Sequence, residues 1–112
     1  MRRVLERMKS FNDRVYDLCK RIPKGKVSSY GEIAKALDTK AFRAVGQALK
    51  KNPYAPIVPC HRVVRSDGNI GGFSGSDIKN IKKKIAILRE EGVEVRDNKV
   101  IDFKEKLFFF DN

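Results

Sequence analysis

Apolar residues recur along the chain at spacings that mark out its elements. Phe11, Val15, Leu18 and Ile22 follow one another at four, three and four residues, the stripe of a helix buried on one side. Ser10 ahead of Asp13 reads as its N-cap with an acidic first turn, and Pro23 and Gly25 end it. Cys19 sits beside the stripe, where a small buried hydrophobe is expected. Ser29 and Glu32 have capping-box spacing, so a short helix should start near Tyr30. Ile33, Ala34 and Leu37 form its apolar side, and it should end near Asp38. Thr39 can cap a further helix from about Lys40 to Lys51, closed by Asn52-Pro53. A short helix, a tight turn and a longer helix outline a helix-turn-helix.

The longer helix separates its sides. Phe42, Val45 and Leu49 lie on one; Lys40, Ala44, Gln47 and Lys51 lie on the other, with Arg43 and Lys50 on the flank. The outer side is basic and carries few bulky groups, which suits close approach to a nucleic-acid groove as well as ordinary solvation.

The three prolines of "NPYAPIVPCHRVV" exclude helix before Cys60, and His61 to Arg65 reads as a short strand. "SDGNIGGFSG" is a turn and a loop with four glycines, lacking the pattern of a phosphate-binding loop. Ser76 and Asp77 should open a last helix with Ile78, Ile81, Ile85 and Leu88 as its buried stripe and Gly92 as its stop. Lys79, Lys82, Lys83 and Lys84 are expected mostly on its solvated side. "VEVRDNKVIDF" predicts a β-hairpin turning near Asp97-Asn98, and the apolar segment Leu107 to Phe110 should dock on the core. The fold class expected is mostly α with a small β-hairpin, a winged-helix-like helix-turn-helix domain spanning residues 1–112.

Charge sharpens this picture. The chain has 112 residues with 25 Lys and Arg against 14 Asp and Glu, a net charge of +11. Residues 1–51 hold +9 of that excess and residues 52–112 only +2. A basic half points to a polyanionic partner, nucleic acid being the commonest. No apolar run reaches the roughly 20 residues that would cross a bilayer, so no membrane role is expected. Two cysteines and one histidine with no CxxC pair fit neither a disulfide scaffold nor a structural zinc site.

The single histidine, His61, directly follows Cys60. A cysteine of ordinary pKa, near ~8.5, needs a base or a positive environment to become a good nucleophile. On a strand, neighbouring side chains point apart, so His61 would act on Cys60 through a water. An acidic partner would hold its tautomer, and Asp67, Asp77, Glu90 and Glu91 are candidates. A merely structural Cys60 is the other reading.

"PCHRVV", Pro59 to Val64, resembles the active-site motif of the O6-alkylguanine–DNA alkyltransferases, or methylated-DNA–protein-cysteine methyltransferases. "IPKGKVSSYGEIA", "RAVGQAL", "GNIGGFSG" and "LREEGV" resemble the same family's DNA-binding and catalytic domain, so the likeness runs from about Phe11 to Val93. The resemblance implies a protein that flips a damaged guanine out of double-stranded DNA and moves its O6-alkyl group to a cysteine, once per molecule. Flipping exposes an atom that a stacked duplex hides. By motif, Cys60 would be the acceptor, His61 the base through water, Glu91 its orienter, with Glu90 as rival. Asn52 would brace the loop before the cysteine, and Tyr30 would donate a proton or hydrogen bond to the guanine. Arg43 would fill the gap left by the flipped nucleotide, while Ala44, Lys40, Gln47 and Lys51 would face DNA. Val63, Phe73, Ser74 and Gly75 would line or contact the base pocket, with Phe73 standing where a tyrosine is common. The resemblance further implies no cofactor, a monomer without the N-terminal accessory domain of many relatives, and work in the cytoplasm or, in a eukaryote, the nucleus. The rival function is that of the alkyltransferase-like proteins, which bind alkylated DNA and recruit excision repair, usually without the cysteine. A plain helix-turn-helix regulator would leave "PCHRVV" unexplained.

Overall fold

Side-chain caps set where the first helices begin. The computed structural model describes residues 9–54, 57–70 and 78–110, side chains of 78–80 excepted. Ser10 Oγ accepts the Asp13 N–H at 3.1 Å and opens α1, Phe11–Arg21. Ser29 Oγ accepts the Glu32 N–H at 3.0 Å and opens α2, Tyr30–Ala36. Each hydroxyl satisfies an amide that a helix start leaves without an intrahelical acceptor. The third helix, α3, covers Phe42–Lys50 and has no side-chain cap. Here the expectation of a start at Lys40 under a Thr39 cap is corrected. Thr39 Oγ1 accepts the Ala41 N–H at 3.1 Å instead, so Lys40 and Ala41 belong to the turn. Lys51 follows α3 as its C-cap residue.

The three helices close a first core. Val15, Tyr16 and Cys19 come from α1 and Ile22 from its C-cap, Ile33 and Ala34 from α2, and Val45, Ala48 and Leu49 from α3. Val58 and Val63 complete it from the segment around Cys60. Two short strands fix that segment in place. β1, Ser28–Ser29, pairs in parallel with β2, Val63–Val64, with Ser28 opposite Val63 and Ser29 opposite Val64. Because β1 leads straight into α2, this pairing ties the Cys60 segment to the helix-turn-helix.

The expected strand from His61 to Arg65 is only partly present. Cys60–Arg62 forms a single 3-10 turn, and extended backbone begins at Val63. Local bonds account for the turn: the Arg62 N–H reaches the Pro59 carbonyl at 3.0 Å, and the Val63 N–H bonds the Cys60 carbonyl. Those groups are then no longer available to a ladder.

A second core gathers Val27, Val64, Ile70, Leu88, Val93, Val95 and Val100. Its helix, α4, covers Ile78–Glu90, and Ile81 and Ile85 pack against that core with Leu88. The expected start at Ser76 and Asp77, and the side chain of Ile78, lie outside the described residues. β3, Val95–Arg96, and β4, Lys99–Val100, form the expected antiparallel hairpin. Asp97 and Asn98 at its tip both have positive φ, 51° and 65°, as the turn that matches strand twist requires.

After α5, Phe103–Lys106, the chain returns to the core as expected. The Val27 N–H donates to the Lys106 carbonyl at 3.0 Å, and the Phe108 N–H donates to the Val27 carbonyl at 2.7 Å. Phe110 is buried in the first core and meets Phe108 edge to face at 5.3 Å. The architecture is mostly helical, with a helix-turn-helix of α2 and α3 beside a small hairpin. Among the described residues no helix is long and apolar enough to cross a membrane.

Candidate functional site

The 3-10 turn carries three neighbouring side chains into three different surroundings. Cys60 is a half-buried free thiol. His61 is 8% exposed, and its Nε2 lies 3.1 Å from Glu91 Oε1. Arg62 grips the same carboxylate twice, Nε to Oε1 at 2.9 Å and Nη2 to Oε2 at 2.7 Å. Its Nη1 donates to the Ile22 carbonyl at 2.8 Å, which anchors the guanidinium to the end of α1. A forked, charge-assisted pair of this kind fixes both partners in plane.

The end of α4 delivers Glu91. Its N–H still bonds back to the Ile87 carbonyl at 3.1 Å, and Gly92 then turns at φ +90°, a region that favours glycine. Val93 folds under, its N–H on the Leu88 carbonyl at 2.9 Å, into the second core. Of the candidate acids among the described residues, Glu91 is the one brought to His61. Glu90 is exposed, Asp67 accepts the Asn69 N–H in an exposed turn, and Asp77 lies outside the described residues.

Electrostatics settle the protonation of the pair. The Arg62 hydrogen bonds hold the Glu91 carboxyl below the usual carboxylate range, against the effect of burial. Burial pushes the His61 ring down, and this outweighs the pull of Glu91. The ring is therefore neutral at neutral pH. It donates Nε2–H to the carboxylate, which leaves Nδ1 with a lone pair to accept a proton.

Lys84 corrects the expectation of a solvated lysine. It is 5% exposed, and its Nζ donates to the Val63 carbonyl at 2.8 Å and the Ile70 carbonyl at 3.4 Å. Burial pushes the ammonium down to about 8, and the charge of a Cys60 thiolate acts to raise it. Lys84 and Arg62 are the residues of this cluster that sequence reasoning missed. Lys84 stands three residues after Ile81 and four before Leu88, on the buried stripe itself, and that spacing was the available signal.

The remaining residues frame the thiol. Tyr30 opens α2, and burial, with the Cys60 charge second, pushes its phenol up to about 12, so it keeps its proton. Asn52 Nδ2 donates to the Val58 carbonyl at 2.9 Å, and its Oδ1 accepts the Tyr54 N–H at 2.9 Å. This clips the ends of the segment leading to Cys60. Cys19 is fully buried and pushed up to about 12 by burial, an inert core thiol as expected. Val63 is wholly enclosed in the first core and shows the site its carbonyl rather than its side chain. Phe73, Ser74 and Gly75 lie outside the described residues. Among the described residues no three His, Cys, Asp or Glu side chains gather to hold a metal.

Outside this cluster, α3 turns a polar side to water. Arg43, Gln47 and Lys50 are exposed, Ala44 and Gly46 half-buried, and Lys40 and Lys51 flank the helix, also exposed. Phe42 departs from the expected pattern: 53% exposed, it does not join Val45 and Leu49 inside. It is the first residue of α3, where no preceding turn of helix or cap covers the ring.

Known proteins resemble this chain over most of its length. The family model described as the DNA binding domain of 6-O-methylguanine DNA methyltransferase matches residues 10–93. The methylated-DNA–protein-cysteine methyltransferase of Archaeoglobus fulgidus is 52% identical over 86 residues, 75% of this chain and 57% of that protein. Atl1 of S. pombe, solved with damaged DNA containing O6-carboxymethylguanine, is 35% identical with a TM-score of 0.74, covering 90% of this chain and 98% of that one. OGT of Mycobacterium tuberculosis, solved with DNA, is 43% identical with a TM-score of 0.65, covering 74% of this chain and 50% of that one. The chain spans between 30% and 57% of the lengths of the first curated relatives it matches.

Proposed function

The chain belongs to the 6-O-methylguanine DNA methyltransferase DNA-binding-domain family, and from that premise we propose that it repairs DNA by taking the alkyl group of an O6-alkylguanine onto Cys60. One observation carries the reading. A half-buried thiol directly precedes a buried histidine held by a largely enclosed Glu91–Arg62 pair, on the same domain as an exposed basic helix.

In this reading α3 meets double-stranded DNA and the damaged nucleotide swings out toward Cys60. Arg43 fills the gap it leaves. Ala44 and Gly46 allow close approach, and Lys40, Gln47 and Lys51 meet the backbone. The segment with Val63, Phe73, Ser74 and Gly75 receives the base. The thiol proton passes through a water to Nδ1 of His61, while Glu91 keeps the ring oriented. The sulfur attacks the alkyl carbon: an S–C bond forms, the C–O6 bond breaks, and its electron pair returns to the guanine. Tyr30 donates a hydrogen bond to the departing ring, and the proton gained at guanine N1 balances the one lost by the thiol. The thiolate is a poor leaving group from the thioether so formed, so each molecule acts once. The substrate places this work where the genome is held, in the cytoplasm or a eukaryotic nucleus.

A second reading is recognition of alkylated DNA without transfer. The likeness to Atl1, 35% identical and solved with damaged DNA containing O6-carboxymethylguanine, favours it, and the presence of Cys60 favours transfer. Incubation with a duplex carrying O6-methylguanine separates them. Transfer adds one methyl group to the Cys60 peptide in mass spectrometry, and Cys60→Ala abolishes this while still binding the duplex. Lesion-selective binding by the wild type with no methyl gained would establish the second reading.

A further inference from the structure

We infer that Phe42 is an aromatic wedge that enters the duplex beside Arg43 and stacks on a base next to the flipped nucleotide. This rests on the reading of α3 as the DNA-facing helix and adds a contact to it. At 100° per residue, Phe42, Gly46 and Lys50 follow one line along α3, with Arg43 and Gln47 beside it. Val45, Ala48 and Leu49 face the core, and at 100° per residue Phe42 lies at the edge of that face, next to Leu49. As the first residue of α3 the ring is nevertheless 53% exposed, and it opens to solvent beside Arg43, which is also exposed. A half-exposed phenyl ring gives up the stabilisation it would gain by burial, and folding supplies it with no cover.

The surroundings select a nucleic-acid strand as the occupant. Phe42 is one wall of a concavity of about 350 Å³ whose other walls are Gly31, Lys35, Asp38, Thr39 and Lys40. Lys35 and Lys40 are exposed cations at its rim, with Arg43 on the next residue of the helix. An aromatic surface between lysines matches a strand's alternation of base faces and phosphates. One turn further on, a Cβ added at Gly46 would meet no atom within 4 Å, so nothing on the helix stands between that position and a docked groove. Apolar side chains inserted between base steps help hold a duplex bent and unstacked, which is what extrusion of a nucleotide requires. The Phe42 N–H bonds the Lys40 carbonyl at 2.8 Å, which fixes the ring's base in the turn.

The test compares wild type, Phe42→Ala and Phe42→Trp. Binding is measured on an undamaged duplex by anisotropy, and transfer is measured from an O6-methylguanine duplex and from free O6-benzylguanine, which needs no helix contact. Phe42→Ala should bind duplex about tenfold more weakly, and Phe42→Trp should restore binding. Free-base transfer and Tm should stay unchanged. Equal duplex affinity for wild type and Phe42→Ala would overturn the inference. So would a parallel loss on duplex and free base, or loss of a self-associated species in sedimentation with DNA binding intact. Should wild type bind duplex yet gain no alkyl group, the transfer reading fails while the affinity difference at Phe42 still decides this one.

Discussion

Around Cys60 the chain encloses its charges, and along α3 it leaves them in water. His61, Arg62, Glu91 and Lys84 are each held by a partner at 3.1 Å or less, and the Arg62 and Glu91 side chains are only 16% and 10% exposed. Arg43, Gln47 and Lys50 project from α3 into solvent. Under the proposed function, the difference follows from what each region would do. A reacting sulfur and its base need fixed relative positions, and buried, fully partnered polar groups supply them. A surface that meets a polyanion needs charges that shed their counterions on contact, so they stay solvated until then. Substitutions in the first region should therefore strike folding and chemistry together, and substitutions in the second should strike binding alone.

The sharpest test of that division is Glu91→Ala. It leaves the Arg62 guanidinium and the His61 ring enclosed without their carboxylate, the costly way to break a buried pair. A loss of about 3 kcal/mol is expected, seen as a fall in Tm on the order of 10 °C or more and as a lower urea midpoint. Glu91→Gln should lose less, because the amide oxygen still accepts from His61 while one fork of the Arg62 contact becomes a mismatch. If Arg43→Ala destabilised the fold as much as Glu91→Ala, the contrast between the regions would be broken.

Acid should reach the same network in two steps of smaller size. His61 titrates at 6.5 when unfolded and lower when folded, because burial disfavours the imidazolium. Below 6.5 the unfolded chain takes up the proton first, so stability present above 6.5 is lost as pH falls through the native value. Glu91, held below its ordinary 4.5 by Arg62, follows the same sign: its contribution is present above 4.5 and is lost as the folded carboxyl finally protonates. Urea midpoints from pH 8 to about pH 2 check this. His61→Gln should remove the first step, whereas Arg43→Ala should leave both.

How much of this was legible in the sequence depends on the distance between partners. The caps at Ser10 and Ser29 bond amides three residues on, so spacing alone revealed them. The hairpin at Asp97-Asn98 was equally local. Thr39 misled because two amide sets lay within its reach, and the nearer one, at Ala41, took the hydroxyl. Phe42 misled because helical spacing groups it with Val45 and Leu49, while cover at a helix end depends on the preceding turn. The types at Cys60 and His61 were evident, but the choice of Glu91 over Glu90 required the end of α4 to be packed against the 3-10 turn, 30 residues away in sequence. Lys84 was masked by its neighbours: Lys82, Lys83 and Lys84 span some 200° of a helix, so one of the three was bound to turn toward the core.

The smallest expected effect, from Lys50→Ala, bears on the other half of the comparison. Lys50 is exposed at the end of α3, on the line that carries Phe42 and Gly46. Its removal should change folding stability by no more than about 0.5 kcal/mol. Duplex affinity should fall severalfold at moderate salt, equally for damaged and undamaged DNA, because a phosphate contact carries no information about the base. The diagnostic quantity is the slope of log K against log salt, which should shrink by about 0.9 for one lost contact. A shallower slope with unchanged Tm would mark Lys50 as a solvated charge that works only against phosphate. An unaltered slope would put the phosphates somewhere other than this line of α3, and with them the site where a duplex docks.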